Sequence, residues 1–339
     1  MSDAIRKRPG LQGLRLRVFF AVVEILARLG LTPTAAKLAA QPLEKRKANK
    51  AAAWTTCPLP SDVTMTYGSI AAGSGPLAIK QYQPPRLDPD APRILFMHGG
   101  GWIGGGVDTL DHLCANLCRS AQCLIVSVDY RLAPETPFPG ALEDCHDALR
   151  WLASDASLGA TPSGGIAVMG ESAGGNLAAA LCVLNARRGG PPISHQTLIY
   201  PCVDATLASP SMAEGRPGFQ KKDIAALIEL YRGSASLTDP LLSPLYAEDP
   251  AALPPALIIT ADLDPARDDG ARYARKLADA GVRVRYLNYE GVPHAFLFMP
   301  RICGAAKEAL AQISAEISTL GRGRVRGPTE TDPTPRTRG

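Results

Sequence analysis

The stretch Ile166-Ala-Val-Met-Gly170-Glu171-Ser172-Ala173-Gly174-Gly175-Asn176-Leu-Ala-Ala-Ala-Leu181 decides the fold. It opens on a short apolar run, the pattern of a strand buried on both faces, and closes on a helix-forming run. The junction leaves no room for a loop, so the chain must turn sharply from strand to helix with Ser172 at the apex. Small flanking residues are needed there because backbones crowd at such an elbow. The turn displays the Ser172 hydroxyl at the carboxyl edge of a sheet and at a helix N-terminus, whose dipole favours developing negative charge. As a bare Gly-x-Ser-x-Gly the motif carries little weight; its strand–helix setting carries the reading.

Upstream, His98-Gly99-Gly100-Gly101-Trp102 follows the apolar run Ile94-Leu-Phe-Met. Three glycines leave backbone N–H groups free to converge on one point, the geometry a tetrahedral oxyanion needs. Gly100 and Gly101, with the amide of Ala173, are therefore the expected oxyanion hole. A phosphate loop is the rival reading, and the Lys-Ser/Thr pair or GxGxxG fingerprint it requires is missing.

A nucleophilic serine needs a base and an acid to orient that base. Of five histidines, His98 opens the glycine loop and reads as a brace, His112 and His146 fall inside helix patterns, and His195 precedes a strand and reads as a surface residue. His294 stands apart on Gly291-Val-Pro-His-Ala-Phe296, after the last strand pattern. The acid is expected in Asp262-Leu-Asp264-Pro-Ala-Arg-Asp268-Asp269, after the strand pattern Leu257-Ile-Ile-Thr. Asp264, stiffened by Pro265, is the choice over Asp262; Asp268 and Asp269 read as first-turn helix residues. The order Ser172, Asp264, His294 matches the chain order of the strand–elbow–helix hydrolase motif.

Working outward, eight strand-like segments are expected near 64–70, 77–83, 93–98, 123–130, 165–171, 196–200, 256–260 and 282–290. From the third onward they alternate with helical patterns near 110–121, 140–157, 174–188, 268–280 and 303–320. Alternation on that scale means right-handed crossovers and a mostly parallel sheet flanked by helices. The first two segments, joined by a short Gly/Ser turn, read as an antiparallel pair at one edge. Two helical stretches precede the sheet, near 15–29 and 34–52. An insertion rich in small and turn residues, with a helix near 221–231, follows the strand ending at Tyr200. The expected organisation is N-terminal helices over 1–52 contributing to a cap, core over 53–201, a cap insertion over 202–240, core again over 241–320, and a disordered tail over 321–339.

Composition agrees. The 46% apolar content of 339 residues can bury a large core. The net charge of +4 is confined to the ends, residues 1–17 holding +4 and 321–339 holding +3, which leaves −3 for the body. No basic face exists for nucleic acid, and both basic ends read as solvated tails. The eight cysteines mostly sit inside apolar strand or helix patterns and form no CxxC pair. They read as buried free thiols of a reducing, cytoplasmic protein. The run Val18–Leu29 superficially resembles a signal peptide, but Glu24 and Arg28 interrupt it and it is too short to span a bilayer. It reads as an amphipathic helix covering part of the protein.

The chain resembles the hormone-sensitive-lipase-like family of microbial carboxylesterases across about residues 64–320. The resemblance rests on His98-Gly-Gly-Gly-Trp102, Asp129-Tyr-Arg-Leu-Ala-Pro-Glu135, Gly170-Glu-Ser-Ala-Gly-Gly175, Leu198-Ile-Tyr-Pro201, Asp264-Pro-Ala-Arg-Asp-Asp-Gly270 and His294-Ala-Phe296. It implies an α/β-hydrolase fold with a helical cap, no metal or cofactor, and hydrolysis of short- to medium-chain acyl esters. It also makes a homodimer a reasonable expectation. Glu171 stands where the commonest subgroup has Asp, and Ala266 where a larger apolar residue is usual. Trp102 and Phe296 are candidate substrate-pocket walls, and Arg131 and Glu135 read as structural locks near the floor of the site. The same machinery cleaves activated amides, so an amidase or deacetylase of small N-acyl compounds stays open. A non-catalytic ligand-binding relative would have lost a member of the triad, and all three are present.

Overall fold

The computed structural model describes residues 5–8, 14–29, 34–48, 54–155, 158, 165–214 and 220–320. The expected disordered tail lies outside them, as does the end of the second expected helix. Among these residues nine strands form one sheet: β1 (Ile5–Arg8), β2 (Thr64–Ala72), β3 (Gly75–Gln83), β4 (Arg93–Met97), β5 (Leu124–Val128), β6 (Ile166–Glu171), β7 (Ile193–Ile199), β8 (Ala256–Leu263) and β9 (Val284–Pro293). Their order is β1-β9-β8-β7-β6-β4-β5-β3-β2. β2 runs antiparallel to β3 and β3 antiparallel to β5, while every other pairing is parallel. All eight expected strands are present. The ninth is a correction: Ile5–Arg8, read as part of a solvated tail, pairs in parallel with β9 through Ile5↔Tyr286 to Arg8↔Tyr289. Pairing uses backbone groups, so a strand that covers the open edge of β9 needs no apolar alternation to betray it.

The helices are α1 (Leu14–Arg28), α2 (Ala35–Ala39), α3 (Leu43–Lys47), α4 (Asp111–Ala121), α5 (Gly140–Ser154), α6 (Ala173–Arg188), α7 (Lys221–Tyr231), α8 (Arg267–Asp279) and α9 (Gly304–Leu320). The single helix expected from 34 breaks into α2 and α3 because Pro42 cannot continue the first helix and instead caps the second with extended backbone.

Strand alternation sorts the core into two layers. Leu95, Met97, Val126 and Val128 pack with α5, α6 and α8 on one face. Ile94, Phe96 and Ile125 pack with α4 and α9 on the other. β4 and β5 are buried along their whole length, as their unbroken apolar runs require. Crossovers run one way from β4 to β5, and β6 then lies on the opposite side of β4. That reversal opens a crevice beyond the carboxyl ends of β4 and β6. The glycine loop leaves β4 and the Ser172 elbow leaves β6 at that place, with Met97 and Gly170 in register.

Candidate active site

Ser172 sits between β6 and α6 with φ 55° and ψ −119°, a strained conformation for a residue with a side chain. Its amide donates to Ile199 O at 2.9 Å, which pins the elbow to β7. The flanking glycines are dictated by space: a Cβ on Gly170 would stand 2.1 Å from Gly174 O, and one on Gly174 would stand 2.1 Å from Met97 O.

The ends of β6, β8 and β9 bring the predicted residues together. Ser172 Oγ lies 2.8 Å from His294 Nε2. His294 Nδ1 lies 2.7 Å from Asp264 Oδ2, so the ring donates to the carboxylate through Nδ1 and accepts from the serine through Nε2. Asp264 is fully buried at the end of β8, and its Oδ1 accepts the Ala266 amide at 2.9 Å. Its competitor Asp262 does a different job, accepting the Gly291 amide at 3.2 Å and so tethering the histidine loop to β8. The loop is also held from below: His112 Nε2 reaches Leu297 O at 3.2 Å, an acceptor that requires the proton on Nε2.

The glycine loop has its own frame. Gly100 and Gly101 have φ of 124° and 62°, and Gly100 O takes the Gly104 amide at 3.0 Å. The amides of Gly100, Gly101 and Ala173 donate to no group among the described residues. His98 braces the loop as expected, with Nδ1 on Gly99 O at 2.8 Å and its ring stacked on Tyr130 at 4.2 Å. Burial pushes its pKa down to about 4, so it stays neutral.

The Asp129–Glu135 turn is a lock, as read from the sequence. Arg131 Nε bonds Asp144 Oδ2 at 2.8 Å, and Glu135 pairs with Arg46 of α3. Arg46 escaped the sequence reading altogether. Its buried guanidinium donates to Ile103 O at 2.7 Å, Ala133 O at 2.8 Å and Gln41 O at 3.1 Å, while its carbonyl accepts the Gly105 amide at 3.0 Å. Lys47 adds a 2.6 Å bond to Asp129. A basic cluster that looks like a solvated helix face thus fastens α3 to the glycine loop. α2 packs on α7, and Leu227 of α7 lies over the loop, where a Cβ on Gly101 would meet its Cδ1 at 2.7 Å.

Three expectations change. Trp102 is buried and stacks on Tyr231 with ring centroids 4.8 Å apart, while Phe296 is fully buried against Tyr200 and Tyr289. Both are packed against other rings, Trp102 on one from α7, and neither is exposed as a pocket wall would be. Closeness in sequence to a motif does not set which side of the backbone a ring takes, and Trp102 has φ 60°. His195 is not a surface residue: β7 lies mid-sheet and buries it completely, which pushes its pKa down to about 3. The cysteines are free thiols, with Cys57 half-buried and the others buried.

Two titrations matter at the site, that of His294 and that of Glu171 beside it. Burial opposes protonation of His294, but the Asp264 charge and hydrogen bond, with a smaller push from Glu171, outweigh it and raise the imidazole pKa above 6.5. Glu171 is fully buried beneath the glycine loop, and burial pushes its carboxyl up to about 7 against pulls from His294, the Gly99 amide and Tyr200. A Cβ on Gly99 would stand 1.8 Å from Glu171 Oε1, so the loop closes on the carboxyl only because residue 99 has no side chain. The Tyr200 ring lies 4.9 Å from that of His294.

A family of α/β-hydrolase fold matches residues 94–298. Esterase LipI of Mycobacterium tuberculosis is 41% identical over 247 residues, which is 71% of this chain and 77% of that one. Carboxylesterase NlhH of the same organism is 40% identical over 240 residues, 69% of this chain and 75% of its own. Among solved structures, an ester hydrolase from the metagenome of Lake Arreo superposes with a TM-score of 0.81 at 32% identity, covering 91% of this chain and 99% of that one.

Proposed function

Because the chain belongs to the hormone-sensitive-lipase-like esterases of the α/β-hydrolase fold and is a carboxylic ester hydrolase, we propose that it works through an acyl-enzyme on Ser172 and favours short- to medium-chain acyl esters. The observation that carries the reading is the unbroken relay from Ser172 Oγ through His294 to the buried Asp264. His294 Nε2 takes the serine proton as Oγ attacks the ester carbonyl. Asp264 holds the tautomer that leaves Nε2 unprotonated, and then stabilises the imidazolium. The free amides of Gly100, Gly101 and Ala173 receive the oxyanion, each worth about 10²–10³ in rate. His294 next gives its proton to the leaving alkoxide as the acyl–oxygen bond breaks. Water repeats the sequence on the acyl-enzyme, releasing the acid and restoring Ser172.

The preference for short chains comes from what lies above the loop. α2, α3 and α7 form the cap, and Leu227 limits the room over Gly101. The test is a p-nitrophenyl ester series from acetate to dodecanoate on wild type, Ser172→Ala and Leu227→Ala. Wild-type turnover should peak at short chains, Ser172→Ala should lose it by at least about 10⁴-fold, and Leu227→Ala should move the peak to longer chains. Undiminished turnover by Ser172→Ala would sink the acyl-enzyme reading, and an unmoved peak would sink the cap reading.

A further inference from the structure

α1 buries one side and leaves another apolar side in water. Leu16 is in the core layer of α4 and α9, with Phe19 and Phe20 packed beside it. Phe19 also meets the ring of Trp54 edge-on at 5.9 Å. On the other side, Val18, Val22, Ile25, Leu26 and the adjoining Leu29 are 38–66% exposed, and Trp54 is exposed beside the helix. Their spacing of four, three, one and three residues puts them on one stripe. A helix apolar on both its core face and its outer face is the composition of a covered helix, and among the described residues nothing covers the outer one. Such a contiguous patch marks an interaction surface.

The charge that directly precedes the stripe in the chain selects the occupant. Residues 1–17 carry Arg6, Lys7, Arg8, Arg15 and Arg17 against Asp3, while the body of the chain is net negative. A second copy meeting this stripe about a two-fold axis would bring one +4 segment against another. An anionic lipid surface instead meets the apolar stripe with its acyl boundary and the basic segment with its headgroups. Among the described residues no helix is long and apolar enough to cross a membrane.

We propose that α1 docks this enzyme peripherally on anionic bilayers, with Val18, Val22, Ile25, Leu26 and Leu29 seated at the headgroup–acyl boundary. The contact is an apolar seat reinforced by charge, so it needs both features. The test is flotation of the full-length protein with phosphatidylcholine vesicles containing about one third phosphatidylglycerol, and with pure phosphatidylcholine vesicles. Wild type should float with the anionic vesicles and bind neutral ones at least about ten-fold more weakly; raising salt to about 0.5 M should cut binding to a similar extent. Val22→Glu/Ile25→Glu, with its fold checked by thermal melt, should abolish flotation. The salt and lipid arms use the wild type alone, so a misfolded variant would not shield the proposal. Absence of binding to anionic vesicles, or equal binding to both lipids, would overturn it. So would a wild-type dimer that Val22→Glu/Ile25→Glu converts to a monomer, since that assigns the stripe to a second copy.

Discussion

Replacing Glu171 by Gln removes a buried ionisable group while keeping its size, and the consequence for stability follows from where it titrates. In the unfolded chain this carboxyl loses its proton near the ordinary 4.5, whereas in the folded protein burial holds the proton to about 7. Between those values the folded state binds more protons than the unfolded one, so wild-type stability falls as pH rises. Below 4.5 both states are protonated and the group contributes no pH dependence. Above about 7 the penalty is complete, and the interval corresponds to about 3 kcal/mol. Urea melts of both proteins from pH 4 to pH 8 should therefore show Glu171→Gln gaining on wild type by about 3 kcal/mol across the window, then running parallel to it. The same change removes one of the charges that raise the His294 pKa, so the acid limb of the kcat/KM profile should move to lower pH. A stability difference that stays flat from pH 4 to pH 8 would refute the reasoning, because it would mean that Glu171 ionises in the fold as it does in water.

Two further perturbations bear on the relay and its support. Asp264→Asn, read from kcat at saturating ester, should lower the rate by about 10⁴; it should also move the acid limb to lower pH, because the largest influence raising the His294 pKa is lost. Arg46→Ala strips the buried carbonyls of Ile103 and Ala133 of their donor, and should cost about 2–4 kcal/mol in urea melts, with a rise in KM as the glycine loop loosens.

The chemistry was legible in the sequence because it lies at strand ends. A strand pattern ending in Gly-Gly-Gly, another ending in Gly-Glu-Ser-Ala-Gly, and acid and histidine after two later strands are all local signals. A parallel sheet delivers every such end to one edge. The support around the site was not legible, since it depends on contacts between distant segments. Arg46 lies in a local run of charges, yet it is buried against carbonyls 57 and 87 residues away. His195 looks like a surface residue until β7 is placed between β6 and β8. Ile5–Arg8 has no strand pattern, because edge pairing is made by the backbone.

The sequence by itself determined the fold class, the nucleophile and the order of its partners, because strand-to-helix junctions and glycine runs constrain the backbone locally. Only the tertiary structure decided which rings near the motifs are buried, which carboxyl is held near neutrality beneath the glycine loop, and which face of α1 is left uncovered. Those are matters of burial, and burial is set by what packs against a residue from elsewhere in the chain.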